Sequence, residues 1–177
     1  PKGLHWSVTT MGETLINEPM SGEVHRKIVD EIYTPVHEKI ESRFEGFRTA
    51  GHSEVFHLDL HSMPSKGESL HRDPGETRAE VVISDQKGKS CPRSFMDLVT
   101  EAYKSAGFQV VENWPYFGGG ITQRYGRPEK GQYTIQIELN RSLYMDEVTK
   151  SIFPDVSKIK AQLKAALHTI LSEIGSN

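Results

Sequence analysis

One cysteine, Cys91, is the only thiol in this 177-residue chain. That excludes an intrachain disulfide framework and points to a reducing, cytoplasmic setting. Long apolar runs are also missing: nothing approaches the roughly 20 residues of a membrane-spanning helix, so no membrane partner is expected. An excess of charge of either sign is lacking too. The formal balance is −3, and no basic run is interleaved with aromatics, so nucleic acid is not an expected partner. Several catalytic signatures are absent. There is no Gly-x-Ser-x-Gly elbow for a serine hydrolase. The Gly118-Gly119-Gly120 run has neither the Gly-Lys-Ser/Thr of a phosphate loop nor dinucleotide spacing. His37-Glu38-Lys39-Ile40-Glu41 fails at its last position as a His-Glu-x-x-His helix.

What remains is a chain with 36% hydrophobic and 25% charged residues, long enough to bury a core as a single domain spanning 1–177. Residues 1–20 read as loop, with a short extended piece near 4–8. Ser21 can cap a following helix in which Val24, Ile28, Ile32, Val36, Ile40 and Phe44 recur every four residues. Pro35 should kink or split that helix, which ends near Gly46. Strands are expected over 54–60, 79–84, 108–112 and 132–141, the second apolar throughout, as in a buried parallel strand. Helices are expected after Pro92, closed by Gly107, and over the stripe Val156, Ile159, Leu163, Leu167, Ile170 and Ile174. Residues 113–130 read as a long loop. Interleaved strands and helices predict a three-layer α/β sandwich with a mostly parallel mixed sheet.

The most informative stretch is 132–141. Tyr133, Ile135, Ile137 and Leu139 alternate with Gln132, Thr134, Gln136 and Glu138, the period of a two-faced strand. Glu138 lies near the strand's C-terminal end, where ligands sit in helix-flanked sheets. A carboxylate there is misplaced, a solvated rim residue, or a working acid/base, and the strand alone does not choose. His57, Asp59 and His61 share one face of another strand, but side chains two apart are roughly 7 Å apart, wide for a single metal. His61, at the strand end, is the better ligand. His37 reads as a helix-packing histidine. Cys91 reads as a buried small side chain with no paired base nearby.

Taken in order, the motifs resemble one family. These are Asp59-Leu60-His61-Ser62-Met63, then Ser84-Asp85 with Gly88 and Ser90-Cys91, then Gly119-Gly120-Ile121-Thr122 with Tyr125-Gly126-Arg127-Pro128. Gln136-Ile137-Glu138-Leu139-Asn140-Arg141 and Tyr144-Met145-Asp146-Glu147 follow. Their order and spacing resemble the N-formylglutamate amidohydrolase family, from about Gly3-Leu4-x-Trp6 to the C-terminal helix. That family in turn resembles the zinc carboxypeptidases, which implies a fold of the zinc-carboxypeptidase/phosphorylase-hydrolase kind.

The resemblance implies a zinc cofactor with His61 as one ligand, and Glu138 as the base that takes a proton from water. It implies a small-molecule substrate, N-formylglutamate, cleaved to glutamate and formate. Ser62 and the Gly119, Gly120, Ile121, Thr122 loop would line its pocket, and Arg124 and Arg141 would grip its two carboxylates. For each arginine a structural ion pair is an equal alternative. Asp59 would support the site, and His57 would pack. The match breaks at its start: the family's other zinc ligands belong to a segment preceding the counterpart of Gly3-Leu4-His5-Trp6. The chain, which opens on Pro1 without Met, is therefore read as a C-terminal portion lacking its first strands. Such a portion is expected to be inactive alone and to associate with its N-terminal piece or with a second copy. The alternatives are a related carboxypeptidase- or deacylase-like hydrolase of other specificity and a metal-free binding module. The polar loop around Glu76-Thr77-Arg78 is where differences from relatives are expected.

Overall fold

The sheet is built around β4 (Gln132–Asn140), in a computed structural model that describes residues 6–175. Gly3 and Leu4, where the family similarity begins, lie outside the described residues, as do the first two positions of the extended piece expected near 4–8, whose last residue, Val8, makes an isolated antiparallel bridge with Thr14. β4 pairs in parallel with β1 (Val55–Met63) and antiparallel with β2 (Val81–Ser84). β2 pairs in parallel with β3 (Val110–Glu112), giving the order β1-β4-β2-β3. The sheet is thus mixed, with two parallel pairings and one antiparallel. That β2 runs against β4 is not legible in its sequence, because an unbroken apolar run records burial on both faces and carries no information on direction.

Helices cover both faces. On one, Ile135 and Ile137 of β4 meet Val81 and Ile83 of β2 beneath α3 (Arg93–Ser105) and α5 (Ser157–Gly175). Phe95, Val99 and Tyr103 of α3 and Ile170 of α5 are buried in that core. On the other face lie α2 (Thr34–Thr49) and α4 (Gly120–Tyr125), with Phe44, Val55 and Tyr125 at the centre of a smaller core. Among the described residues no helix is long and apolar enough to cross a membrane.

Two local departures have physical causes. The helix capped by Ser21, whose side chain accepts from the Val24 N–H, is split into α1 (Gly22–Ile28), a π-helical segment (Val29–Tyr33) and α2, with Pro35 in the first turn of the last. Its apolar stripe does not all face inward: Val24, Ile32 and Val36 are exposed, whereas Phe44 is buried. A strict four-residue repeat drifts by about 40° per step around an α-helix, so the stripe winds off the sheet. Between 113 and 130, where a loop was expected, α4 forms. Gly118, at φ 101°, supplies the left-handed turn before it, and Gly126 closes it where an added Cβ would lie 2.2 Å from the Ser90 Cβ. A run of glycines argues against a helix interior, yet here it lies at the helix N-terminus.

Candidate active site

The polar face of β4 is not a solvated rim. Thr134, Gln136 and Glu138 are all buried, Glu138 to 6% exposure. Parallel, in-register pairing sets His61 of β1 beside Glu138 of β4, and β1 carries His57 and Asp59 on the same face by alternation. His61 Nε2 lies 3.0 Å from Asp59 Oδ1. The roughly 7 Å Cα spacing of such residues is bridged because strand side chains lean along the strand. The Asp59 contact raises the His61 pKa above its ordinary value, against a smaller opposing effect of burial. Asp59 Oδ2 and His57 Nδ1 are buried without hydrogen-bond partners among the described residues. Burial lowers the His57 pKa, against an opposing pull from Asp59, and so favours the neutral ring where it packs edge-on against Phe44.

Among the described residues, Glu138 is held by a hydrogen bond from one side only. Its Oε1 accepts from Gln136 Nε2 at 2.7 Å, and Gln136 Oε1 accepts from the Gly119 N–H at 2.5 Å. The start of α4 is thereby tied to the carboxylate through one side chain. Burial raises the Glu138 pKa above the ordinary carboxyl value, partly offset by His61 and the Gln136 bond. A carboxyl in that condition exchanges protons nearer neutrality, as acid/base work requires.

Glu138 and Arg141 line a cleft of about 570 Å³, walled also by Ser62, Arg72, Arg78 and Tyr116. Arg141 donates from Nε to Ser62 Oγ and from Nη2 to the Ser62 carbonyl, both at 3.2 Å. Arg78 and Asp73 form a buried pair, each side chain 1% exposed, through bonds of 2.7 and 2.8 Å. Arg78 also donates to the Pro64 carbonyl at 3.2 Å and to the Tyr116 hydroxyl at 2.9 Å. Because the phenol oxygen receives that N–H, its own proton must point elsewhere, available to an acceptor in the cleft.

The structure distributes the other expected site residues unevenly. Ser62, Arg141 and Glu138 share the cleft, while His61 sits beside Glu138. Arg124 is not among the residues lining the cleft. Its guanidinium pairs with Glu41 at 2.9 Å on an exposed surface, the ion-pair alternative. Gly119 touches the site through its N–H, Gly120 opens α4, and Ile121 packs on the smaller core. Thr122 is fully buried, its hydroxyl without a partner among the described residues. Cys91 is buried and its thiol is pushed up to about 12, chiefly by burial, which leaves no thiolate nucleophile. His37 packs, its Nδ1 2.6 Å from the Tyr125 hydroxyl. Arg72, Asp73, Arg78, Tyr116 and Gln136 were not anticipated as site residues.

Donor chemistry bears on zinc. Among the described residues there is no group of three His, Cys, Asp or Glu side chains placed to hold a metal, whereas catalytic zinc takes three protein donors. These side chains alone do not fit a complete zinc centre.

A sequence profile of the N-formylglutamate amidohydrolase family matches residues 1–145. The chain belongs to that family. Relatives named N-formylglutamate deformylase occur in Pseudomonas putida, 28% identical over 82% of this chain and 54% of theirs, and in Pseudomonas aeruginosa, 27% identical over 97% and 62%. The crystal structure of N-formylglutamate amidohydrolase from Ralstonia eutropha JMP134 superposes with a TM-score of 0.77 at 31% identity, covering 96% of this chain and 60% of that one. A gene product of Agrobacterium tumefaciens shares the fold, with a TM-score of 0.65 at 18% identity over 96% of this chain and 62% of that one. The chain thus spans between half and two-thirds of the length of these relatives.

Proposed function

We propose that this chain carries the acid/base part of a cytoplasmic enzyme that hydrolyses N-formylglutamate to glutamate and formate. The observation that carries the reading is Glu138: buried, anchored through Oε1, and facing a cleft that also holds Arg141. Oε2 accepts no hydrogen bond among the described residues, so it is the oxygen free to work. In the proposed reaction Oε2 takes a proton from the attacking water as its oxygen bonds to the formyl carbon. The same proton is delivered to the amide nitrogen as the C–N bond breaks, releasing formate and the free amine. Arg141 holds a substrate carboxylate, and the Tyr116 hydroxyl is a donor for a carbonyl or carboxylate oxygen.

Zinc belongs to the proposal, with His61 as one nitrogen donor and the remaining donors supplied from outside the described residues, by further chain or a partner copy. Bound zinc supplies Lewis acidity toward water and carbonyl oxygen. On this reading the sheet forms part of a larger zinc-carboxypeptidase-like one, and the 177 residues alone turn over substrate poorly. The test is Glu138→Gln in the active protein, followed by formate release. Turnover should fall at least about 10²-fold with the melting temperature unchanged or higher, since an ionised carboxylate is no longer buried. Turnover within a few-fold of wild type would remove Glu138 as the base.

A further inference from the structure

The cleft contains three guanidinium groups, and their partners differ. Arg78 is neutralised by Asp73. Arg72 and Arg141 have no carboxylate within ion-pair distance among the described residues. Arg72 is nevertheless held in place. Its Nη1 donates to the Pro115 carbonyl at 3.3 Å, and its guanidinium carbon sits 4.4 Å from the centre of the Phe117 ring. Lys87 Nζ lies 4.0 Å from the same ring, so two like charges share one aromatic platform, with no counter-ion among the described residues. Stacking preorganises the planar fork, and its Nε and Nη2 have no partner among the described residues, which leaves them for a bidentate acceptor. Of the carboxylates on the cleft wall, Asp73 is paired with Arg78, and neither Glu68 nor Glu138 lies within ion-pair distance of Arg72 among the described residues.

We propose that Arg72 is the second carboxylate-binding residue of this cleft, acting with Arg141, so that the cleft selects a small dicarboxylate. The inference rests on the amidohydrolase reading and replaces Arg124, whose guanidinium is paired with Glu41, in the role expected from sequence. A bidentate guanidinium–carboxylate contact also discriminates against a ligand that lacks the second acid, because the cation is then left without a partner.

The experiment is titration of the protein with glutarate and, separately, with butyrate, which lacks one carboxylate, followed by calorimetry or chemical-shift changes. Wild type should bind glutarate more tightly than butyrate. Arg72→Gln should weaken glutarate at least about ten-fold and erase that preference, with butyrate changed less than about two-fold. Phe117→Leu, which removes the platform and keeps the charge, should weaken glutarate by about two- to five-fold, and it decides the matter if Arg72→Gln does not fold. An undiminished preference in Arg72→Gln, or in Phe117→Leu where that variant decides, would overturn the role of Arg72 and leave the amidohydrolase reading standing. If wild type does not distinguish the two acids, the diacid reading fails and this inference with it.

Discussion

Replacing Asp73 with Asn tests whether a buried ion pair sets the wall of the cleft. Asn keeps the volume of Asp, and its Oδ1 can accept one of the two Arg78 bonds now made at 2.7 and 2.8 Å. Its Nδ2 then points a donor at a donor, and the Arg78 cation stays in a site where its side chain is 1% exposed. Breaking such a pair from one side costs about 3–5 kcal/mol, against about 1 kcal/mol or less at the surface. With a urea slope of about 2 kcal/mol/M, the midpoint should fall by about 1.5–2.5 M. The effect also carries a pH signature. Arg78 holds the Asp73 pKa below its ordinary value, so the pair's contribution is fully present above the unfolded-state carboxyl pKa. It is lost as pH falls through the depressed folded value. Wild type should therefore lose stability steeply on acidification, while Asp73→Asn starts lower and has a flatter acid limb. A loss under about 1 kcal/mol at neutral pH, with parallel acid limbs, would refute the reasoning.

Two further substitutions probe the periphery of the site. Arg124→Ala removes a pair whose side chains are 40% and 52% exposed, so solvent screening leaves little to lose: the melting temperature should stay close to wild type and glutarate affinity should not move. A selective loss on diacids would return Arg124 to the carboxylate-binding role. Gly126→Ala should be costly for steric reasons alone, since the new methyl would lie 2.2 Å from Ser90 Cβ and 2.8 Å from the Thr122 carbonyl oxygen. The expected cost is about 1–3 kcal/mol, read as a melting shift of about 2–4 °C per kcal/mol, and an unchanged melt would refute the close packing.

Much of the scaffold is legible in the residues because it depends on local periodicity. The alternation of β4, the stripes of α3 and α5, and the Ser21 cap are all properties of neighbouring positions. Strand direction is not such a property, and β2 looks the same whichever way it runs. Nor does alternation reveal that the second face of β4 is covered: α2 and α4 pack on that side of the sheet, Glu138 is buried where β4 enters the cleft, and the glycine run makes α4 hard to anticipate. His61 and Glu138 could be named separately, and parallel register brings them together. Asp73, Arg78 and Tyr116 could not be joined in advance, because they sit in irregular chain where only the folded path makes Arg78 meet residue 73 on one side and residue 116 on the other. Their one local clue was the Arg-bearing polar loop near 76–78.

The bond from the Gly119 N–H to Gln136 has a consequence for orientation. A carboxamide can usually exchange its two ends by half a rotation, presenting either oxygen or nitrogen to a neighbour. Here a backbone donor claims the oxygen, so the NH₂ end is committed to face Glu138. Gln136 therefore works as a one-way adaptor, converting the polarity of a main-chain donor at the start of α4 into a fixed donor at the carboxyl. Any proton that Glu138 carries is then assigned to Oε2, on the free side, before a ligand arrives.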